Sequence, residues 1–212
     1  MATDAEKYAL RRILEPIVNP VILDIGAHTG EESRMFAELL GGRSFEYVMV
    51  EPDPRNIQKA LDAKVNGKII IGAVSDSNGM RPFHFSDNSY DGYHSSGSLL
   101  DPTGHLTHAP HVTFPYVGHV ATYTLDEIFA KAAVVHADLL FTDVQGSEAA
   151  MIRGGRRSLS HSRYLFMEVE HKEMYRDQAL RNELLAMLPE WGMIEDFGGN
   201  VLLKNTQFAG AS

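Results

Sequence analysis

Val21-Ile-Leu-Asp24-Ile-Gly26-Ala-His28-Thr-Gly30-Glu31-Glu32 is the stretch that decides how the rest of the chain is read. Residues 20–25 form a short apolar run, the pattern of a strand buried on both faces. Gly26 and Gly30 give a turn, and from 31 to 40 apolar residues recur at helical spacing until the Gly41-Gly42 pair stops them. Working outward, the alternation repeats: strand at 47–50, helix at 55–63, strand at 68–71. Further on it resumes with strands at 138–142 and 164–169, each followed by a helix, at 147–154 and 178–188. Strand and helix in strict alternation predict parallel βαβ units. Upstream, 5–14 is amphipathic and stops before Pro16, a lead helix ahead of the first strand. Near the end, apolar runs at 193–197 and 200–204 flank Gly198-Gly199, a short turn that favours an antiparallel hairpin. The expected architecture is α/β: a mostly parallel seven-stranded sheet that finishes in an antiparallel hairpin, with helices on both faces.

The 212 residues, 44% of them hydrophobic, suffice for one substantial core, so a single domain over 20–212 is expected behind a lead segment at 1–19. A net charge of −9 would repel a polyphosphate backbone, which disfavours nucleic acid as a partner. Arg153, Arg156 and Arg157 form a small basic knot that reads as a solvated helix end. With no cysteine there is no disulfide, no thiolate metal site and no thiol nucleophile. Charges at Asp4, Glu6, Lys7, Arg11 and Arg12 are unlike a signal peptide, and no apolar run approaches the roughly 20 residues that span a membrane. A cytoplasmic protein without membrane partners is the expectation. Residues 86–123, rich in Ser, Gly, Pro, His and Tyr, read as an irregular insertion on the substrate side. Its aromatic residues Tyr90, Tyr93, Phe114, Tyr116 and Tyr123 suit stacking on a flat ring or packing onto the core. The histidines at 84, 94, 105, 108, 111 and 119 match no ligand spacing, and no metal is predicted.

The glycine turn lacks the G-x-G-x-x-G spacing of a dinucleotide site. Position 28 is histidine, and Glu31 and Glu32 follow, which serves a pyrophosphate poorly and a cationic sulfonium with an amino-acid tail better. Asp24 at the strand end is placed to hold that ligand's ammonium. Glu51 closes the second strand, where such folds put an acid that accepts from both ribose hydroxyls. Asp53 reads more simply as a helix cap. The Ala73-Val74 segment lies where an adenine ring meets small side chains, and Asp76 either accepts from the exocyclic amine or belongs to a turn. Gly26, Ala27, His28, Gly30 and Pro52 complete the predicted cofactor set, together with Asp143. Asp143 ends a parallel strand where open sheets place their ligands, and so is the first residue expected to contact an acceptor. His171, at the end of the next strand, has the chemistry of a general base, and Glu168 that of an orienting carboxylate.

Together these segments resemble the FkbM-type methyltransferase family, S-adenosylmethionine-dependent enzymes that mostly methylate hydroxyl oxygens. The resemblance covers about 20–204. It rests on Leu23-Asp-Ile-Gly-Ala-His-Thr-Gly30, Val50-Glu-Pro-Asp-Pro54, Gly72-Ala-Val-Ser-Asp76, Ser96-Gly-Ser-Leu99, Thr124-Leu-Asp126, Asp143-Val-Gln-Gly-Ser-Glu148 and Glu168. It implies a Rossmann-like class I methyltransferase fold and S-adenosyl-L-methionine as cofactor. It also implies ligand-binding roles for Asp24, Gly26, Glu51 and Ala73-Val74, with Asp143 beside the transferable methyl group. Two departures stand out: Phe141 where the family usually has lysine, and Ser147 where alanine is common. The implied acceptor is a small hydroxylated molecule such as a sugar or polyketide, and the sequence does not separate these or give an oligomeric state. Two alternatives stay open: a non-catalytic protein of the same fold, and a nicotinamide-dependent oxidoreductase.

Overall fold

The computed structural model describes residues 2–88 and 94–208. The strands are β1 (Val21–Ile25), β2 (Glu46–Glu51), β3 (Lys68–Ile71), β4 (Ala73–Val74), β5 (Gly79–Asn88), β6 (Val112–Tyr123), β7 (Ala137–Thr142), β8 (Ser162–Glu168), β9 (Trp191–Asp196) and β10 (Asn200–Asn205). The helices are α1 (Asp4–Leu14), α2 (Glu31–Leu39), α3 (Pro54–Asp62), α4 (His105–His108), α5 (Leu125–Ala132), α6 (Glu148–Gly154), α7 (Arg156–Ser160) and α8 (Arg181–Ala186).

Seven strands form one sheet in the order β3-β2-β1-β7-β8-β10-β9. The five from β3 to β8 run parallel, while β10 is antiparallel to both β8 and β9. This is the fold of class I methyltransferases. Because successive strand side chains point to opposite faces, β1 divides its residues between two apolar layers. Ile22 joins Leu10 and Leu14 of α1, Phe36 of α2 and Ile57 of α3 on one face. Leu23 and Ile25 join Leu125 and Ile128 of α5, Met151 of α6, Leu159 of α7 and Leu184 of α8 on the other. Phe141 and Phe166 stack at 4.7 Å between centroids, continuing the first layer across β7 and β8.

The expectation of an irregular stretch over 86–123 is corrected at its two ends, 86–88 and 112–123, which are strand; the described residues between 94 and 111 include the short α4. β5 and β6 form a long antiparallel pair from Gly79↔Thr122 to Asn88↔Val112, and with β4 they make a second, three-stranded sheet. Phe83, Phe85 and Val120 seal its inner face against Ala73. Tyr90 and Tyr93 lie outside the described residues, whereas Tyr116 stacks on Phe85 at 4.7 Å. The helix expected over 178–188 is shortened to α8. The Gln178 side chain accepts from the backbone of Met174 and Tyr175, closing a turn where a helix start was expected. Arg153 pairs with Asp76, and Arg156 donates to Met187 O, so two side chains of the basic knot are engaged locally. Among the described residues, no helix is long and apolar enough to cross a membrane.

Candidate active site

The strand order reverses between β1 and β7: the chain leaves β1 toward β2 on one side and returns as β7 on the other. Loops diverge at such a point and leave a crevice at the carboxyl ends of the strands. Here the crevice is a cleft at the carboxyl ends of β1, β2 and β7. Gly26, His28, Glu51, Pro52, Asn56, Ala73 and Val74 line one part of it, and Asp143, Gln145 and Ser147 another. β5 and the segment that follows it add Phe83, Gly97 and Leu99. Gly26 has φ +83°, and a Cβ there would stand 1.8 Å from Asp143 O, so the two loops meet only because residue 26 has no side chain.

Glu51 is buried and held from three sides. Its Oε2 accepts from His28 N at 3.0 Å, and its Oε1 accepts from Asp53 N at 3.0 Å and from Asn56 Nδ2 at 3.1 Å. Burial nevertheless pushes its carboxyl up to about 8. Burial likewise takes the His28 imidazole down to about 4, so it is neutral at physiological pH. Asp53 caps α3, accepting from Arg55 N at 2.8 Å and pairing with the Arg55 guanidinium, as its position before Pro54 suggests.

Across the cleft, Asp143, Glu148 and Glu168 form an acidic group organised by an amide. Gln145 Nε2 donates to Asp143 Oδ1 at 2.6 Å and to Glu168 Oε2 at 3.1 Å. The Tyr175 hydroxyl donates to Gln145 Oε1 at 2.6 Å, with Ser96 O as a second acceptor at 2.9 Å. The orientation of the amide follows from that donor and those two acceptors. His105 Nε2 lies 2.9 Å from the phenol oxygen, and its buried Nδ1 has no partner, which favours the tautomer with the proton on Nε2. Burial raises Asp143, and burial plus the charges of Asp143 and Glu148 raises Glu168 well above the ordinary carboxyl range. Burial and the neighbouring Asp143 bring Glu148 to about 7. Among the described residues, no group of three or more histidine, aspartate and glutamate side chains is arranged to hold a metal ion.

Of the predicted cofactor residues, Gly26, His28, Glu51, Pro52, Ala73, Val74 and Asp143 line this one cleft. Asp24 lies beneath it, buried, with its carboxylate taking the Tyr47 hydroxyl at 2.5 Å. Ala27 and Gly30 shape the loop from behind: Gly30 N donates to Ala27 O at 2.7 Å, and Gly30 packs on Val65 and Met49. Two expectations are corrected. Asp76 does not line the cleft; it turns to the surface, where Arg81 Nη2 at 2.6 Å and Arg153 Nη2 at 3.6 Å neutralise it. His171 does not converge with Asp143: it is exposed, with Nε2 2.9 Å from Gly198 O in the β9–β10 turn. Glu168 does join Asp143, through Gln145. Sequence reasoning missed Gln145, Tyr175 and Asn56. Gln145 sits inside the quoted 143–148 block but is not titratable, and Tyr175 stands alone in an irregular segment.

The family described as methyltransferase FkbM domain matches residues 24–195. This chain belongs to the FkbM methyltransferase family. It is 32% identical over 198 residues to 2-O-methyltransferase NoeI of Sinorhizobium fredii (strain NBRC 101917 / NGR234), covering 89% of this chain and 81% of that protein. Among solved structures, methyltransferase FkbM from Methylobacillus flagellatus KT is similar at a TM-score of 0.55 and 16% identity. That match takes in 88% of this chain but only 43% of the other. Cofactor-bound Rv0187 from MTB is similar at a TM-score of 0.55 and 13% identity, over 98% and 82% of the two chains. The cofactor of the family is S-adenosylmethionine, and the cleft suits it: a side-chain-free wall at Gly26, a buried carboxylate at Glu51 for hydroxyl donors, and apolar Val74, Phe83 and Leu99 for a flat ring.

Proposed function

We propose that this protein is an S-adenosylmethionine-dependent O-methyltransferase that acts on a hydroxyl of a sugar or similarly hydroxylated small molecule. The observation that carries this reading is the pair of raised carboxyls, Asp143 in the cleft lining and Glu168 beside it, bridged by one amide. The name of the Sinorhizobium relative, a 2-O-methyltransferase, supports oxygen as the acceptor atom. No lysine or arginine is among the residues that line the cleft, which suits a neutral acceptor better than an anionic one.

When bound, S-adenosylmethionine supplies a methyl group on positively charged sulfur, open to direct displacement by the acceptor oxygen, with S-adenosylhomocysteine as the departing product. The protein must hold the acceptor oxygen in line and take its proton. Asp143 opens onto the cleft and receives that proton, while Glu168, hydrogen-bonded to it, sets its basicity. A carboxyl raised toward neutrality is a better proton acceptor for a hydroxyl than an ordinary carboxylate. Gln145 fixes the direction of both groups, which limits the lost motion that slows in-line attack.

Radiolabelled methyl transfer to a panel of hydroxylated sugars tests the reading. Glu168→Gln and Asp143→Asn are each expected to lower turnover by about 100-fold or more, with S-adenosylhomocysteine affinity by calorimetry nearly unchanged in Glu168→Gln. A doubly substituted protein that retains full activity would remove the carboxyl pair from the mechanism.

A further inference from the structure

The surroundings of Glu51 leave an acceptor count that does not match a ribose. Oε1 already receives two donors, Asp53 N and Asn56 Nδ2, which occupy both its lone pairs. Oε2 receives His28 N and, once Glu51 is ionised, has one lone pair left. A ribose carries two hydroxyls, so one carboxylate held in this way can accept directly from one of them. The neighbouring Asn56 supplies what is missing. It lines the same cleft and is only 1% exposed. Its Nδ2 faces two acceptors, Glu51 Oε1 at 3.1 Å and His94 O at 3.1 Å, so the amide cannot be turned over without placing its oxygen against both. Asn56 Oδ1 is therefore fixed as an acceptor, and it is buried without a donor. A buried amide oxygen in that state is unfavourable until a donor arrives.

We infer that Asn56 is a second ribose-recognition residue: its Oδ1 accepts from one of the two cofactor hydroxyls, and Glu51 accepts from the other. This rests on the cofactor reading above. A side chain on the first turns of α3 thereby becomes part of the binding set, although only the strand-end acid was expected there.

The test is calorimetric binding of S-adenosylhomocysteine and its 2′-deoxy and 3′-deoxy analogues to the intact protein, to Asn56→Leu and to Glu51→Gln. In the parent protein, removal of either hydroxyl weakens binding by about tenfold, the value of one hydrogen bond. Asn56→Leu weakens the parent ligand to a similar degree and becomes indifferent, within twofold, to loss of one hydroxyl while still sensing loss of the other. Glu51→Gln shows the reverse pattern. A penalty in Asn56→Leu that is equal for all three ligands would mean that Asn56 only supports Glu51, and would overturn the inference. So would the parent protein binding either deoxy analogue as tightly as the full ligand, an outcome that needs no variant to fold. Failure of the parent to bind S-adenosylhomocysteine at all would instead overturn the cofactor reading itself, and this inference with it.

Discussion

Gln145 holds a left-handed backbone at φ +50°, an arrangement that costs a non-glycine residue about 1–3 kcal/mol. The surroundings keep it there. Ser98 Oγ donates to its carbonyl at 2.6 Å, and Tyr175 locks its side-chain oxygen. Strain held at this point aims one amide at two carboxyls. Tyr175→Phe removes the donor, and the amide loses its reason to face that way. The expected result is a drop in kcat of about tenfold with the KM for S-adenosylmethionine within twofold, together with a displaced pH–rate profile as Asp143 and Glu168 redistribute their proton. An unchanged profile would make Tyr175 a packing residue only. At this scale the sequence was legible where a residue's chemistry and its place at a strand end coincided, as for Glu51 and Asp143. Asp76 and His171 had suitable chemistry near strand ends too, but ion pairs with two arginines and a turn carbonyl, respectively, turned them elsewhere. Arg153 and the Gly198 carbonyl are distant in the chain and leave no mark on local sequence, whereas Arg81 stands close to Asp76 within one turn segment.

Among the elements, β1 and the loop after it carry the tightest constraint. Gly26→Ala would force a side chain onto a left-handed residue and against the Asp143 carbonyl at 1.8 Å. The expected cost is about 2–3 kcal/mol or more, read as a lower urea midpoint; a midpoint within error of the parent would contradict the close approach. Strands β1, β2 and β7 of the large sheet were legible because they are buried on both faces and so appear as continuous apolar runs. β5 and β6 were not. They bury one face only, and Pro82, His84, Ser86, Pro115 and His119 interrupt the apolar pattern that would have announced them. α5 did carry a signal that was passed over: Thr124 caps it by accepting from Glu127 N at 3.1 Å, the Ser/Thr-x-x-Glu pattern of a helix start.

For the whole molecule, several buried carboxyls together set how stability responds to pH. Glu51 near 8 and Glu148 near 7 keep protons in the folded state that the unfolded chain has released above about 4.3. Between those values the folded state binds more protons, so stability falls as pH rises. His28, lowered to about 4, acts in the opposite sense, but only between about 4 and 6.5. The window from 6.5 to 8 therefore belongs to the carboxyls, and the melting temperature without cofactor is expected to be lower at pH 8 than at pH 6.5. A higher value at pH 8 would show that these groups ionise freely. The chain order of the cleft has a practical side as well. Most of its lining comes from residues up to Val74 and from Asp143 onward, two halves that meet at Gly26 and Asp143, and between them in the chain β5 and the segment after it add Phe83, Gly97 and Leu99. Chimeras that exchange the outer part of the β5–β6 hairpin between family members would thus change the ring wall at Leu99 and the Ser96 and Ser98 contacts to Tyr175 and Gln145 together, while the Gly26–Asp143 contact that joins the halves remains as it is.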